Sequence, residues 1–265
     1  MDTPERHPPP GAPLVNRTGM KFALDGGAAA RAAIGLIVLA TDHTLEYEWR
    51  RIFAGLDGVA VYQSRIPSPV RIAPETLGAM EAEIAGATEI LLPGEPMDVV
   101  GYACTSGTIV IGEERVFARI REARPAARCT TPITAAIAGL KALGARRIAM
   151  LTPYVDAING MMRDFVRARG LEVPVLGSYN HENDNEVARI DAASVRAAVL
   201  ELGRHPAVDA VFVACTSIRV AEQVAALEAE LGKPVTSSNH AMAWHALRLA
   251  GVGEPLPRWG RLFIV

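Results

Sequence analysis

Two short stretches of the chain place a cysteine, a threonine and a serine in the same order after an apolar run. The first is Cys104-Thr105-Ser106 and the second is Cys215-Thr216-Ser217, each preceded by alanine. A thiolate is a strong nucleophile and a thiol can transfer a proton, so two matched cysteines are typical of nucleophilic or acid–base catalysis. The repetition therefore predicts a pair of catalytic thiols, one in each of two related units.

The sequence around each cysteine predicts where it lies. Residues 98–103 and 210–214 are apolar runs typical of strands buried in a parallel sheet, and a helix is expected after each. Backbone N–H groups at the start of a helix are unpaired and carry partial positive charge, which favours a thiolate and lowers its pKa. The same N–H groups and the hydroxyls of Thr105, Ser106, Thr216 and Ser217 are predicted to hold a substrate carboxylate.

The elements that would position these thiols occur twice along the chain. The order of apolar strand, polar turn and helix in residues 34–144 returns in residues 148–250. A duplicated α/β fold is the economical interpretation: two pseudo-symmetric parallel-sheet halves with the active site in the cleft between them. The predicted division is an N-terminal tail over 1–30, a first half over 31–145 carrying Cys104 and a second half over 146–265 carrying Cys215.

Composition excludes several other classes of function. The 265 residues are half hydrophobic and 21% charged, with a formal net charge of −2, as in an ordinary globular protein. No basic stripe or long apolar run points to nucleic acid or a membrane. The N-terminus lacks the apolar core of an export signal, so a cytoplasmic protein with reduced thiols is expected. The third cysteine, Cys129, is predicted to be a packing residue, and the histidines lack the spacing of metal ligands.

The paired motifs resemble those of the aspartate/glutamate racemase superfamily, and within it the branch of maleate cis–trans isomerases and arylmalonate decarboxylases. Residues 34–38, 101–107, 152–154 and 234–239 are similar to a subgroup encoded with ectoine-utilisation genes. The resemblance covers about residues 34–252. It implies an enzyme that needs no cofactor, acts on a small carboxylate and forms a homo-oligomer.

The resemblance also implies roles for individual residues. Cys104 matches the family's nucleophile and Cys215 its proton-transferring partner, while Tyr154 and Asn185 match residues that bind the substrate carboxylate. Asp42 stands where maleate isomerases carry a carboxylate-binding asparagine. An ionised aspartate would repel a dianion by about 1–4 kcal/mol at short range, so Asp42 favours a substrate with a cationic group. A simple helix N-cap is the alternative role for Asp42.

Four functions are compatible with this pattern. The leading hypothesis is a maleate isomerase-like reaction in which a thiolate adds to an alkene, the carbon–carbon bond rotates and the thiolate leaves. A racemase or epimerase of an amino-acid derivative, with the two thiols as opposed bases, is the second. Decarboxylation is the third, although arylmalonate decarboxylases lack one of the two cysteines. A non-catalytic carboxylate binder is the alternative from a different class.

Overall fold

The computed structural model describes residues 16–265. Residues 1–15 of the predicted tail lie outside the described residues, and residues 16–26 are exposed and form neither helix nor strand. None of the helices within residues 16–265 is long and apolar enough to cross a membrane.

The first of two sheets lies in the N-terminal half of the chain. Its four strands are β1 (Ala32–Leu39), β2 (Val59–Ile66), β3 (Val99–Tyr102) and β4 (Arg128–Thr130). They are all parallel and lie in the order β2-β1-β3-β4. Every residue of β1 and β3 is buried, as expected for central strands that helices cover on both faces.

The second sheet repeats this arrangement. Its strands are β5 (Arg147–Thr152), β6 (Glu172–Ser178), β7 (Ala210–Val213) and β8 (Val235–Ser237). They are again all parallel, and their order β6-β5-β7-β8 matches the first sheet strand for strand. The two cysteines follow the equivalent strands β3 and β7. The predicted duplicated α/β fold is thereby confirmed.

The helices cover these sheets and connect their strands. In the first half they are α1 (Leu45–Ile52), α2 (Pro74–Ala79), α3 (Glu81–Glu89), α4 (Thr105–Ile111), α5 (Glu113–Ala123) and α6 (Pro132–Ala142). In the second half they are α7 (Asp156–Ala168), α8 (Asp184–Val187), α9 (Ala192–Gly203), α10 (Val224–Leu231) and α11 (Ser238–Leu249). Short 3₁₀ turns occupy Gly27–Ala29, Ala221–Gln223, Pro257–Trp259 and Arg261–Ile264.

The sequence pattern also predicts one helix over residues 74–85, a polar loop over residues 183–189 and a helix from Val220. These three local predictions differ from the structure. The single helix expected over residues 74–85 is two helices that meet at Met80. The polar loop at 183–189 contains the short helix α8, whose N-cap Asn183 accepts a hydrogen bond from the backbone of Glu186. The helix expected from Val220 begins as a 3₁₀ turn and becomes α-helical only at Val224. Each difference lies at an element boundary, where local sequence constrains the backbone least.

The two halves are joined by helices that cross between them. Helix α11 follows the last strand of the second sheet but packs on β3 and β4 of the first, and helix α6 of the first half contacts β8 of the second. The Thr130 hydroxyl pairs with Nδ1 of His245 at 2.8 Å across this junction. The cleft between the sheets is therefore held by contacts from both halves.

Candidate active site

A small cavity lies at the carboxyl ends of the central strands. Six of the nine predicted site residues line it: Cys104, Thr105, Ser106, Tyr154, Cys215 and Thr216. The rest of its wall is formed by Leu39, Thr41, Ser68, Pro69, Arg71, Ile72, Thr76, Leu77, Met80 and Asp184. The repeated motifs of the two halves thus meet at one small, largely apolar cavity, which is typical of ligand sites in parallel α/β proteins.

Cys104 is the N-cap of helix α4. Its backbone is extended, with φ −140° and ψ 117°, and its sulfur accepts a hydrogen bond from the backbone N–H of Gly107 at 3.2 Å. Burial raises the pKa of the Cys104 thiol to about 12, while the Gly107 N–H lowers it and the charge of Asp184 raises it further. The expected lowering by the helix terminus is present, but desolvation outweighs it and the neutral thiol is the stable form.

The hydroxyl of Tyr102 lies beside Cys104 under the start of the helix. A Cβ atom placed on Gly107 would lie 2.7 Å from the sulfur and 2.8 Å from this hydroxyl, so only glycine leaves the two groups room to approach. Their interaction lowers the pKa of the thiol. The Tyr102 hydroxyl is buried and has no well-aligned hydrogen-bond partner, which leaves it free to donate to a developing thiolate.

Cys215 has a different backbone environment. Its φ of 103° lies in the left-handed region, which is costly for a residue with a Cβ atom and persists only where the surroundings impose it. Its backbone N–H donates to Oγ of Ser238 at 3.0 Å, and that same oxygen pairs with Oγ1 of Thr105 at 2.8 Å. The expectation that both cysteines begin a helix is therefore wrong for Cys215, because a turn follows it.

Tyr154 connects the two thiols. Burial raises the pKa of its phenol well above the ordinary value, and the interaction of the phenol with Cys215 lowers the pKa of that thiol. Ser106 also lies beside the phenol and lowers its pKa. The backbone carbonyl of Tyr154 accepts hydrogen bonds from Nδ2 of Asn159 at 2.7 Å and from Ser178. These bonds fix the backbone of Tyr154 at the cavity wall.

Asp184, which the sequence reasoning missed, lies where Asn185 was expected. Asp184 lines the cavity and is 5% exposed. Asn185 is half-buried and absent from the cavity wall, and its side-chain oxygen pairs with Nε2 of His43 at 2.9 Å. The prediction for Asn185 is corrected in this respect: the turn of α8 directs its neighbour to the cavity. Only the burial of a carboxylate inside a polar loop would have identified Asp184, and the sequence does not show it.

Asp42 and Ser217 also lie behind the cavity wall rather than in it. Oδ1 of Asp42 accepts hydrogen bonds from the backbone N–H groups of Thr44 at 2.7 Å and Leu45 at 2.8 Å, at the start of helix α1. The N-cap residue itself is Thr44, so Asp42 supports the helix start from two residues before the position given above as the alternative. The Ser217 hydroxyl donates to Asp184 at 2.7 Å. Neither residue lines the cavity, and the substrate contacts predicted for Asp42 and Ser217 stay predictions.

The described residues include no cluster of three or more metal-ligating side chains. The three cysteines are free, and Cys129 is half-buried at an edge strand away from the cavity wall. Burial raises the pKa of Cys129, while Arg121 lowers it. Cys129 is therefore a suitable control thiol, outside the cavity wall, for experiments on Cys104 and Cys215.

A duplicated parallel α/β fold with one cysteine from each half on a shared cleft defines a racemase-like protein. The sequence model of the arylmalonate decarboxylase family matches residues 108–263, more than half of the chain, and the protein belongs to this family.

Proteins with assigned activities are similar to this chain in sequence. Arylmalonate decarboxylase of Bordetella bronchiseptica is 36% identical over 137 residues, which span 51% of this chain and 57% of that enzyme. Maleate isomerase of Pseudomonas putida is 25% identical over 240 residues, covering 86% of this chain and 96% of that one. The chain therefore spans little more than half of the first relative and nearly all of the second.

A solved structure adds a chemical observation. The maleate cis–trans isomerase of Nocardia farcinica superimposes with a TM-score of 0.80 at 26% identity, covering 88% of this chain and 98% of that one. In that structure a cysteine-to-serine mutant carries a covalently bound succinylcysteine intermediate. A cysteine of that relative therefore forms a carbon–sulfur bond to a four-carbon carboxylate.

Proposed function

We propose that the protein is a cofactor-independent isomerase of a small carboxylate that uses Cys104 and Cys215 as its reacting groups. The observation that carries this proposal is that both repeated cysteines, one from each half, line the same cavity. On the wall of this cavity, Thr105, Ser106 and Tyr154 offer neutral donors for a carboxylate. The succinylcysteine adduct of the Nocardia relative supports covalent chemistry at a cysteine.

The two thiols differ in ways that suit two roles. The Cys104 sulfur accepts the Gly107 N–H and faces the Tyr102 hydroxyl, so a negative charge on this atom is stabilised and Cys104 is the nucleophile. Cys215 interacts with the Tyr154 phenol and is the proton donor and acceptor. Because burial favours neutral thiols, Cys104 must release its proton to solvent when the substrate binds and takes up a proton again when the product leaves.

With maleate as substrate, the steps balance as follows. The Cys104 thiolate forms a bond to one alkene carbon, and the π electrons take the proton of Cys215 at the other carbon to give a succinyl thioether. Rotation about the new single bond follows. The Cys215 thiolate then removes a proton from that carbon, the carbon–sulfur bond breaks and fumarate leaves.

Racemisation or epimerisation of an amino-acid derivative is the second candidate. In this reaction one thiolate removes the α-proton and the other thiol returns a proton, with no carbon–sulfur bond. A buried carboxylate on the cavity wall, Asp184, favours it, because an acidic wall suits a substrate with an amino group better than a dianion.

Replacement of each cysteine by serine tests the thiol-pair mechanism. Proton NMR in D₂O, with maleate and separately with single enantiomers of aspartate, distinguishes fumarate formation from deuterium incorporation at the α-carbon. We expect Cys104→Ser and Cys215→Ser each to reduce turnover by about 10²-fold or more, as loss of a general acid or base does. Cys129→Ser is the matched control and should retain full activity.

The same variants test the competing interpretations. A carboxylate binder would show no turnover in any tube and would retain its affinity in both cysteine variants. Full turnover in both Cys104→Ser and Cys215→Ser would contradict the mechanism. The homo-oligomeric state and the association with ectoine utilisation remain part of the proposal, and sedimentation of the purified protein tests the first of these.

A further inference from the structure

The acidic wall of the cavity has spare hydrogen-bonding capacity. Oδ2 of Asp184 accepts a hydrogen bond from Thr41 at 2.6 Å, and Oδ1 accepts one from Ser217 at 2.7 Å. A carboxylate has about four acceptor positions, and two of those on Asp184 have a hydroxyl donor among the described residues. The hydroxyl donors come from both halves, which hold Asp184 in a defined position at the junction.

Two contacts between main chains fix the loop that carries Asp184. Its backbone N–H donates to the carbonyl of Val70 at 2.9 Å, and the N–H of Ile72 donates to the carbonyl of Glu182 at 2.9 Å. These bonds join the loop before α8 to the adjacent segment of Arg71 and Ile72, two residues that also line the cavity. Asp184 is therefore placed by backbone bonds and hydroxyl donors, as substrate-contacting groups require.

The balance of charge around the cavity is unfavourable for a dianion. Among the described residues of the cavity wall, the one basic side chain is Arg71, which is 65% exposed and paired with Glu182 at 3.3 Å. Asp42 adds a second buried carboxylate, whose Oδ2 lacks a hydrogen-bond partner among the described residues. Burial raises the pKa of Asp42, while the Leu45 N–H and the side chain of Thr216, a wall residue, lower it in part. Burial raises the pKa of Asp184, and the hydroxyls of Thr41 and Ser217 lower it. Among the charged groups that act on Asp184, Asp42 raises this pKa further and His43 lowers it.

Asp184 also acts on both thiols. Its negative charge raises the pKa of Cys104 and of Cys215. A cation bound to Asp184 would offset this charge and make either thiolate easier to form, whereas a dianion would add to it. The arrangement therefore links the binding of a cationic group to activation of the cysteines.

We propose that Asp184 is a substrate-binding residue that accepts hydrogen bonds from an ammonium group, so that the substrate is a small amino-substituted carboxylate. This assignment rests on the proposed function only in using the same cavity. On this assignment the substrate is a zwitterion or a cation, whereas a maleate isomerase-like site would bind a dianion. The neutral donors Thr105, Ser106 and Tyr154 then hold the carboxylate at the other end.

Calorimetric titration with butyrate and its α-, β- and γ-amino derivatives tests the assignment without any turnover. The four compounds share one carbon chain and one carboxylate, and differ in whether and where they carry an ammonium group. We expect at least one amino derivative to bind about tenfold or more tightly than butyrate, as a charge-assisted hydrogen bond provides. Asp184→Asn should abolish this preference and leave butyrate binding unchanged or stronger.

The control variant is Asp164→Asn, since the Asp164 side chain is 69% exposed on helix α7, and it should keep the wild-type preference. The assignment is overturned if butyrate binds the wild-type protein as tightly as every amino derivative, or if no amino derivative binds. It is equally overturned if folded Asp184→Asn retains the preference. The wild-type comparison decides the matter even if that variant fails to fold.

The result is separable from the cysteine test. An ammonium preference that survives in Cys104→Ser and Cys215→Ser, together with retained turnover there, would overturn the thiol mechanism alone. Cysteine-dependent turnover without an ammonium preference would overturn the role of Asp184 alone.

Discussion

Glu48 is a buried carboxylate on helix α1 that fixes the chain following Cys215. Its Oε1 accepts the backbone N–H groups of Val220 at 2.7 Å and Ala221 at 2.8 Å, and its Oε2 accepts Nδ2 of Asn239 at 2.8 Å. Three donors of the second half therefore converge on one side chain of the first. Burial raises the pKa of Glu48 to about 7 from an ordinary 4.5; these hydrogen bonds lower it in part, and Asp42 raises it further.

This elevated pKa makes stability depend on pH in a defined direction. The folded protein binds the Glu48 proton more tightly than the unfolded chain does, so the contribution to stability is complete below pH 4.5 and is lost as the pH rises to about 7. One pKa unit corresponds to about 1.4 kcal/mol. The rise from 4.5 to about 7 therefore predicts a loss of about 3 kcal/mol in the free energy of unfolding across this interval.

Glu48→Gln removes the ionisation and keeps the shape of the side chain. We expect the unfolding free energy of the wild type minus that of Glu48→Gln to fall by about 3 kcal/mol between pH 4.5 and about pH 8. Urea denaturation followed by circular dichroism at several pH values measures both proteins. Taking the difference cancels other titrating groups, including His240, whose pKa burial lowers to about 4.

Glu222→Gln is the matched control, because the Glu222 side chain is 47% exposed and pairs with Arg51 at the surface. Its difference from the wild type should vary little with pH. A flat difference for Glu48→Gln over the same range, or one that rises with pH, would refute the assignment of an elevated Glu48 pKa.

Two further predictions concern the surroundings of Cys104. Gly107→Ala places a Cβ atom 2.7 Å from the Cys104 sulfur, so turnover should fall roughly 10²-fold, as misplacement of a reacting group by about 1 Å does. Gly86→Ala is the control and should keep its turnover, because its Cβ would meet nothing within 4 Å. Equal kcat values for the two variants would contradict the argument. Tyr102→Phe removes the hydroxyl that lowers the pKa of Cys104, so alkylation of Cys104, followed by mass spectrometry in a Cys129→Ser/Cys215→Ser background, should shift to higher pH. Tyr179→Phe is the control, because the Tyr179 hydroxyl makes only an exposed contact with the Ser194 carbonyl. An unchanged pH profile of Cys104 alkylation in Tyr102→Phe would show that the Tyr102 hydroxyl does not act on the Cys104 thiol.

The local sequence was sufficient for the strands and for the repeat. The apolar run at 34–39 lies within β1, and the two runs before the cysteines are β3 and β7, because strands buried on both faces need continuous apolar residues. Pro74 begins α2 as the sequence indicates, and Gly144 follows α6 with a φ of 73°. These features depend on neighbours along the chain, so pattern alone identifies them.

The roles of the acidic residues required the tertiary structure. Asp184 and Asn185 are adjacent in one polar loop, and nothing in their sequence shows which side chain faces the cavity. That choice is made by the turn of α8, by the backbone bond from Asp184 to Val70, and by hydroxyl donors from Thr41 and Ser217. All three partners are distant in sequence, so the sequence alone does not distinguish Asp184 from the neighbouring Asn185.

The same distinction, between contacts along the chain and contacts made by packing, applies to the site as a whole. The sequence by itself determined that two equivalent strands end in Cys-Thr-Ser, because each copy is a local pattern of strand, thiol and hydroxyls. Only the tertiary structure decided that Cys215 adopts a φ of 103°, that Asp42 accepts the N–H groups at the start of α1 and that burial raises the pKa of both thiols. Backbone strain, hydrogen-bond partners and desolvation arise from packing between the two halves, and that packing exists only once the chain has folded.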